Sequence, residues 1–130
     1  MQSGLVLRKL QPLMRVIAAI TVISLSAGLY VLGAQPLAVG LLMGPWDKLA
    51  HLTVFAGIGF GTGVAVGLRG WRMALSCLGG ALLIGVIDEW HQMSLPGRTP
   101  SWTDLTADAG GGILGSMLLG ASQRFFRPEA

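Results

Sequence analysis

Residues 45–72 read PWDKLAHLTVFAGIGFGTGVAVGLRGWR, and this stretch decides the fold. Between Lys48 and Arg69 there is no Asp, Glu, Lys or Arg. At a rise of about 1.5 Å per residue, an uncharged run of roughly twenty residues matches the hydrocarbon thickness of a bilayer. A Gly-Pro-Trp turn precedes the run and the basic segment Arg69-Gly70-Trp71-Arg72 closes it, so we read a membrane-crossing helix over about Lys48 to Leu68. Asp47, His51, Phe55, Gly59, Gly63 and Gly67 recur every four residues, which places them on one slowly rotating stripe. A polar head is thereby joined to a glycine groove, and glycine at this spacing lets membrane helices approach closely.

Working outward, a third apolar run extends from about Met73 to Ile87 and continues into Asp88-Glu89-Trp90-His91-Gln92. Its apolar part, about 15 residues or near 22 Å of helix, is short of a 30 Å core, so Asp88 and Glu89 are expected at or just below the interface. Ser94-Leu95-Pro96-Gly97-Arg98-Thr99-Pro100 marks a loop, because Pro-Gly favours a turn and the second proline interrupts a helix. Ser101 can then cap a last helix running through Leu105 to about Ala121, with Asp104 near its positive end. Upstream, Val16 to Leu32 forms the first run, preceded by Arg8, Lys9 and Arg15. A signal peptide has the same outline, but this run exceeds the usual 7 to 15 residues and the nearest cleavage candidate, Leu32-Gly33-Ala34, has a bulky residue where a small one is preferred. Retention as a membrane helix is the expectation. Gln35-Pro36 and Gly44-Pro45-Trp46 mark the loop that follows it.

Composition agrees with lipid as the solvent. Of 130 residues, 52% are hydrophobic and 12% charged, against about 25% charged in a soluble domain. The net charge of +3 does not point to nucleic acid, since the cations stand singly or in pairs beside apolar runs. The single cysteine, Cys77, excludes an intrachain disulfide framework. The expected architecture is therefore one all-α, polytopic membrane domain spanning 1–130, with four transmembrane helices. Arg8, Lys9, Arg15, Arg69, Arg72, Arg124 and Arg127 fall on one side and only Lys48 and Arg98 on the other. Because cytoplasmic loops carry the excess of Lys and Arg, both termini are expected inside. Asp47, Asp88, Glu89, Asp104, Asp108, His51 and His91 then gather at the outer face.

So many ionisable groups in a small bundle require an explanation, since each costs on the order of 2.5–3.5 kcal/mol at a helix centre and less near the ends. The structural explanation is internal pairing, Glu89 with Arg98 and Asp104 with Lys48 or His51. The functional one is a binding site built from Asp47, Lys48, His51, Glu89, Gln92, Arg98, Asp104 and Asp108, with Lys48 and Arg98 as anion contacts. His51, Glu89 and Asp104 are of the type that holds zinc or manganese, but no metal motif is present, and neither a metal nor a cofactor is assigned. Trp46, Trp90 and Trp102 form an interfacial belt on the same side, and His91 reads as an anchor at headgroup level.

Asp47-Lys48-x-x-His51-x-x-x-Phe55, then Glu89-x-x-Gln92 followed by Pro96-Gly97-Arg98, then Asp104-x-x-x-Asp108-x-x-Gly111 with Gly115, resemble the signature of the VanZ-like membrane proteins. The resemblance covers about Trp46 to Gly120. It implies a small helical domain of the bacterial cytoplasmic (inner) membrane, in a family named for a protein that gives low-level resistance to the glycopeptide teicoplanin; it does not supply a reaction. Asp108 departs from the pattern, standing where an asparagine is frequent, and adds a titratable group. The expected partners are membrane lipids or a lipid-linked cell-envelope intermediate, held at the outer face, with a link to teicoplanin tolerance. The alternatives are a membrane hydrolase or transferase with His51 or Glu89 as general base, and a non-catalytic assembly module. No residue is assigned as catalytic, and the glycine faces leave homo-oligomerisation open.

Overall fold

The computed structural model describes residues 2–35 and 44–125, with side chains from Lys9 onward. Pro36 of the first loop, Arg127, Glu129 and the Arg8 side chain lie outside the described residues. The described residues form four helices and no strand: α1 (Gln2–Gly33), α2 (Pro45–Val66), α3 (Gly70–Gln92) and α4 (Trp102–Phe125).

Helix α1 begins well before the apolar run that announces it and carries Pro12 in its interior. Helical backbone does not require apolar side chains, so an apolar run marks the lipid-facing part of a helix rather than its ends. Helix α2 starts where the sequence places a start: Gly44 adopts φ 64°, and Pro45 follows at the first helical position, where its missing N–H costs nothing. Gly67 ends α2 in the left-handed conformation, φ 71°, with its N–H donating to the Gly63 carbonyl at 3.0 Å. It is thus a helix terminator and not the last member of the packing stripe. Arg98 N–H bonds the Leu95 carbonyl at 3.2 Å across Pro96-Gly97, with Gly97 at φ 76°. Proline followed by a positive-φ glycine fits a type II turn, and it folds Arg98 back over the bundle. Ser101 caps α4 as expected, its hydroxyl accepting the Asp104 N–H at 3.4 Å.

Helices α1 and α3 run one way, α2 and α4 the other. The most intimate pair is α2 with α4, which are parallel and meet through glycine. A methyl added at Gly111 would come within 2.7 Å of the Leu52 carbonyl oxygen, and one at Gly115 within 2.5 Å of the Ala56 carbonyl oxygen. These neighbours are backbone, so only glycine permits the approach. Helix α3 closes the other side through Gly112, whose added methyl would meet the Ala81 Cβ at 2.8 Å. Two small buried clusters result: Phe55, Ile58 and Ala81, covered by Val22, Leu25 and Leu29 of α1, and Met73, Cys77 and Leu119, covered by Phe60 and Val64.

Outside this slender core the perimeter is apolar: Ile20, Ile23, Leu75, Leu83, Ile113 and Met117 are all exposed. Exposed apolar side chains all round a bundle are what lipid, and not water, accommodates. Three segments, Lys9–Gly33, Pro45–Val66 and Gly70–Gln92, are long and apolar enough to cross a membrane, with mean hydropathy of 2.1, 1.6 and 1.6. Helix α4 is not among them, because Asp104, Asp108 and five glycines dilute its apolar content. Its carboxylates are turned inward, both buried.

Candidate functional site

The C-terminal ends of α1 and α3 and the N-terminal ends of α2 and α4 meet at one end of the bundle, and the polar residues singled out in the sequence meet there too. Lys48 Nζ bridges two carboxylates, donating to Asp47 Oδ2 at 3.0 Å and to Asp104 Oδ1 across the α2/α4 contact. One turn deeper, His51 Nδ1 lies 2.8 Å from Asp108 Oδ1. The His51 ring stacks in parallel on Phe55, centroids 5.9 Å apart. Asp108 is 0% exposed. Its second oxygen, Oδ2, is buried without a partner, over the space that Gly85 leaves open on α3.

Glu89 departs from the expected ion pair with Arg98. Its Oε2 accepts the backbone N–H of Ser101 at 2.6 Å, fastening the end of α3 to the first residue of the α4 cap. Arg98 instead directs Nη2 to the Gly33 carbonyl at 3.4 Å, a weak contact by length but well placed at the negative end of α1. The physical reason is the Pro96-Gly97 turn, which carries Arg98 toward α1 while α4 begins beside Glu89. Among the described residues the charged contacts are Lys48 with Asp47, Lys48 with Asp104, and His51 with Asp108. Among the described residues three side-chain atoms are buried without a partner, Glu89 Oε1, Arg98 Nε and Asp108 Oδ2, and all three belong to this cluster. An unmet buried polar atom costs about 1–3 kcal/mol, so their concentration at one end is not incidental to a bundle that is otherwise well satisfied.

Gln92 lies in the cluster, with its amide on Asp88 Oδ2 at 2.8 Å. Asp88 is buried, and sequence reasoning left it out of the candidate set; its i, i+4 spacing to Gln92 was the signal available. His91 does more than anchor, since its ring stacks on Tyr30 of α1 with centroids 3.5 Å apart. No position in the sequence pairs Tyr30 with His91, because that contact depends on how α1 leans on α3. All eight candidate residues thus sit at one end. Asp47, Lys48, His51, Asp104 and Asp108 lie along α2/α4; Glu89 and Gln92 lie on α3 with Asp88; and Arg98 lies in the loop between α3 and α4, on the Gly33 carbonyl of α1.

Beside Glu89 an open groove of about 370 Å³ runs between α3 and the start of α4, lined by Val86, Trp90, Met93, Trp102 and Leu105 together with Glu89 and the Pro100-Ser101 turn. Trp90 and Trp102 flank it and are 74% and 82% exposed. An apolar groove ending at a carboxylate and framed by two tryptophans has the layout of the boundary between acyl chains and headgroups.

No curated protein and no solved structure matches this chain. A family model does, and its reach is wider than the motif region: it takes in α1, whose Tyr30 and Gly33 complete the polar end. With the VanZ/LLP1 model matched over residues 3–123, the chain belongs to the VanZ/LLP1 family and is a VanZ-like membrane protein.

Proposed function

We propose that this protein binds a polar-headed lipid, or a lipid-linked envelope intermediate, at the outer face of a bacterial cytoplasmic membrane that all four helices cross with both termini inside. The observation that carries the reading is the α3/α4 groove: apolar walls open to the lipid side lead to Glu89, whose Oε1 is buried and unpartnered. A site with this gradient suits a molecule with an acyl chain at one end and hydrogen-bonding groups at the other. Of the two cations, Lys48 is held by two carboxylates, whereas Arg98 makes only the long 3.4 Å contact to the Gly33 carbonyl and can exchange it for a phosphate or similar group. Asp47 and Asp104 through Lys48, and His51 with Asp108, tie the start of α2 to α4 beside the groove, and Gln92 braces Asp88 on α3. Teicoplanin tolerance would follow from the altered presentation of such a lipid.

The test is native mass spectrometry of the purified chain, alone and as Val86→Trp, which fills the groove. A lipid that stays on the wild type after the annular lipids are stripped, and is absent from the variant, is the expected outcome. Equal retention by both proteins overturns the reading.

A second reading is supported by the His51–Asp108 pair. With Asp108 Oδ1 accepting the Nδ1 proton, the other ring nitrogen is left as an acceptor, the arrangement of a general base oriented by a carboxylate. A membrane hydrolase built this way would activate water against an ester or phosphoester of a lipid. It requires turnover by purified protein that disappears in His51→Ala.

A further inference from the structure

We infer that the lipid held between α3 and α4 carries a primary amine in its headgroup, which donates to the Glu89 carboxylate while an acyl chain occupies the groove. This rests on the lipid-binding reading above and narrows it to one chemical class. Five carboxylates, Asp47, Asp88, Glu89, Asp104 and Asp108, share this end with Lys48 and Arg98. Three formal negative charges are therefore left over with both histidines neutral, and two with His51 protonated. Lys48 is engaged by Asp47 and Asp104, and Arg98 lies on the Gly33 carbonyl at the end of α1. An acidic headgroup without a cation would meet this excess as a like charge, and the repulsion grows where lipid lowers the local dielectric. An ammonium meets it as a counter-charge.

The second observation is specific to Glu89. It is 8% exposed, lines the groove, and uses only one of its oxygens, Oε2 on the Ser101 N–H. The rest of the lining is apolar apart from Ser101, whose hydroxyl is occupied by Thr103 at 2.6 Å. Glu89 thus sets a carboxylate at the edge of an apolar trough, with Oε1 buried behind the lining and without a partner. The terminal torsion of a glutamate is soft and moves both oxygens together, so an ammonium in the groove draws one oxygen toward it in exchange for the Ser101 N–H contact. A primary ammonium supplies both charge and N–H donors. A quaternary ammonium supplies charge alone, and a glycerol headgroup supplies donors on an anionic lipid.

The experiment compares three lipids with identical acyl chains, phosphatidylethanolamine, phosphatidylcholine and phosphatidylglycerol, titrated onto delipidated full-length protein and followed by native mass spectrometry. The ethanolamine lipid is expected to bind about tenfold more tightly than either other lipid, the ratio that one charge-assisted hydrogen bond supplies. In Glu89→Gln, which keeps an acceptor for the Ser101 N–H, the advantage over phosphatidylcholine should vanish, and phosphatidylglycerol, relieved of one like charge, should bind no more weakly than to the wild type. In Val86→Trp all three should be lost. Equal binding of the three lipids to the wild type, a preference for phosphatidylglycerol, or an ethanolamine preference over phosphatidylcholine that survives Glu89→Gln each overturns the amine assignment while the lipid reading stands. Binding of all three that is unchanged in Val86→Trp removes the lipid reading itself, and the amine assignment with it.

Discussion

Replacing Gly115 by alanine adds a single methyl where α2 and α4 are closest. That methyl would stand 2.5 Å from the Ala56 carbonyl oxygen and 2.7 Å from the Phe60 amide nitrogen. The first contact is about 0.9 Å short of the 3.4 Å at which ordinary contact begins, and both atoms are helical backbone that cannot rotate away. The helices must part, and the part-buried Lys48–Asp104 and His51–Asp108 contacts across the same interface stretch with them. Overpacking of this kind costs about 1–3 kcal/mol, with the upper end expected for a backbone clash, against roughly 1 kcal/mol gained from alanine's helix propensity. A net loss of about 2 kcal/mol is the expectation. Gly79→Ala is the matched control, since a methyl at Gly79 meets nothing within 4 Å; it should be neutral or slightly stabilising. Thermal melting of both variants in one detergent reads the difference. If Gly115→Ala melts with Gly79→Ala, or above it, the close glycine contact between α2 and α4 is not what holds the bundle, and the reasoning fails.

Other substitutions probe the polar end. Asp108→Asn keeps an oxygen for His51 and should melt within about 1 kcal/mol of wild type, whereas Asp108→Leu leaves His51 Nδ1 without an acceptor and should lose about 1–3 kcal/mol; equal damage from both would show that the hydrogen bond is immaterial. Gly67→Ala forces a methyl into the left-handed cap and against the Arg15 guanidinium, and a melting loss of about 1–2 kcal/mol is expected; an unchanged melt would mean that α2 ends another way in the membrane. Arg98→Ala, expressed in a host lacking the protein, should accumulate normally and lose teicoplanin tolerance; tolerance that simply tracks abundance across the variants would make the cluster structural.

Helices α1 to α3 were legible because lipid imposes a coarse rule, a run of apolar residues for each span, while α4 was legible from its Ser101 cap, and the turns at Gly44-Pro45 and Pro96-Gly97 are written in residues with few alternatives. The end of the bundle where the ionisable groups gather was legible for the same reason, since chain direction alternates at each turn. Partner choice was not. Glu89 and Arg98 look like a pair in sequence because they are close and oppositely charged, yet the turn between them sends Arg98 to Gly33 and gives Glu89 a backbone amide. A backbone donor carries no letter in the sequence. Helix α1 was read too short at its start for a related reason: charge ends an apolar run without ending a helix.

The two contacts across α2 and α4 have nearly constant separations in the chain, 56 residues for Lys48–Asp104 and 57 for His51–Asp108. Glycine surfaces are smooth and would allow two parallel helices to slide by a turn. A slip in one direction would set Asp108 beside Phe55 and leave Lys48 facing the proline at 100; a slip in the other would leave Asp104 opposite Gly44 and drive Leu119 onto Gly59. Each alternative strands a carboxylate, and a buried charge deprived of its partner costs about 3–5 kcal/mol. The paired charges therefore act as register pins, much as one buried asparagine fixes the alignment of a coiled coil, and they hold two slippery helices to a single position.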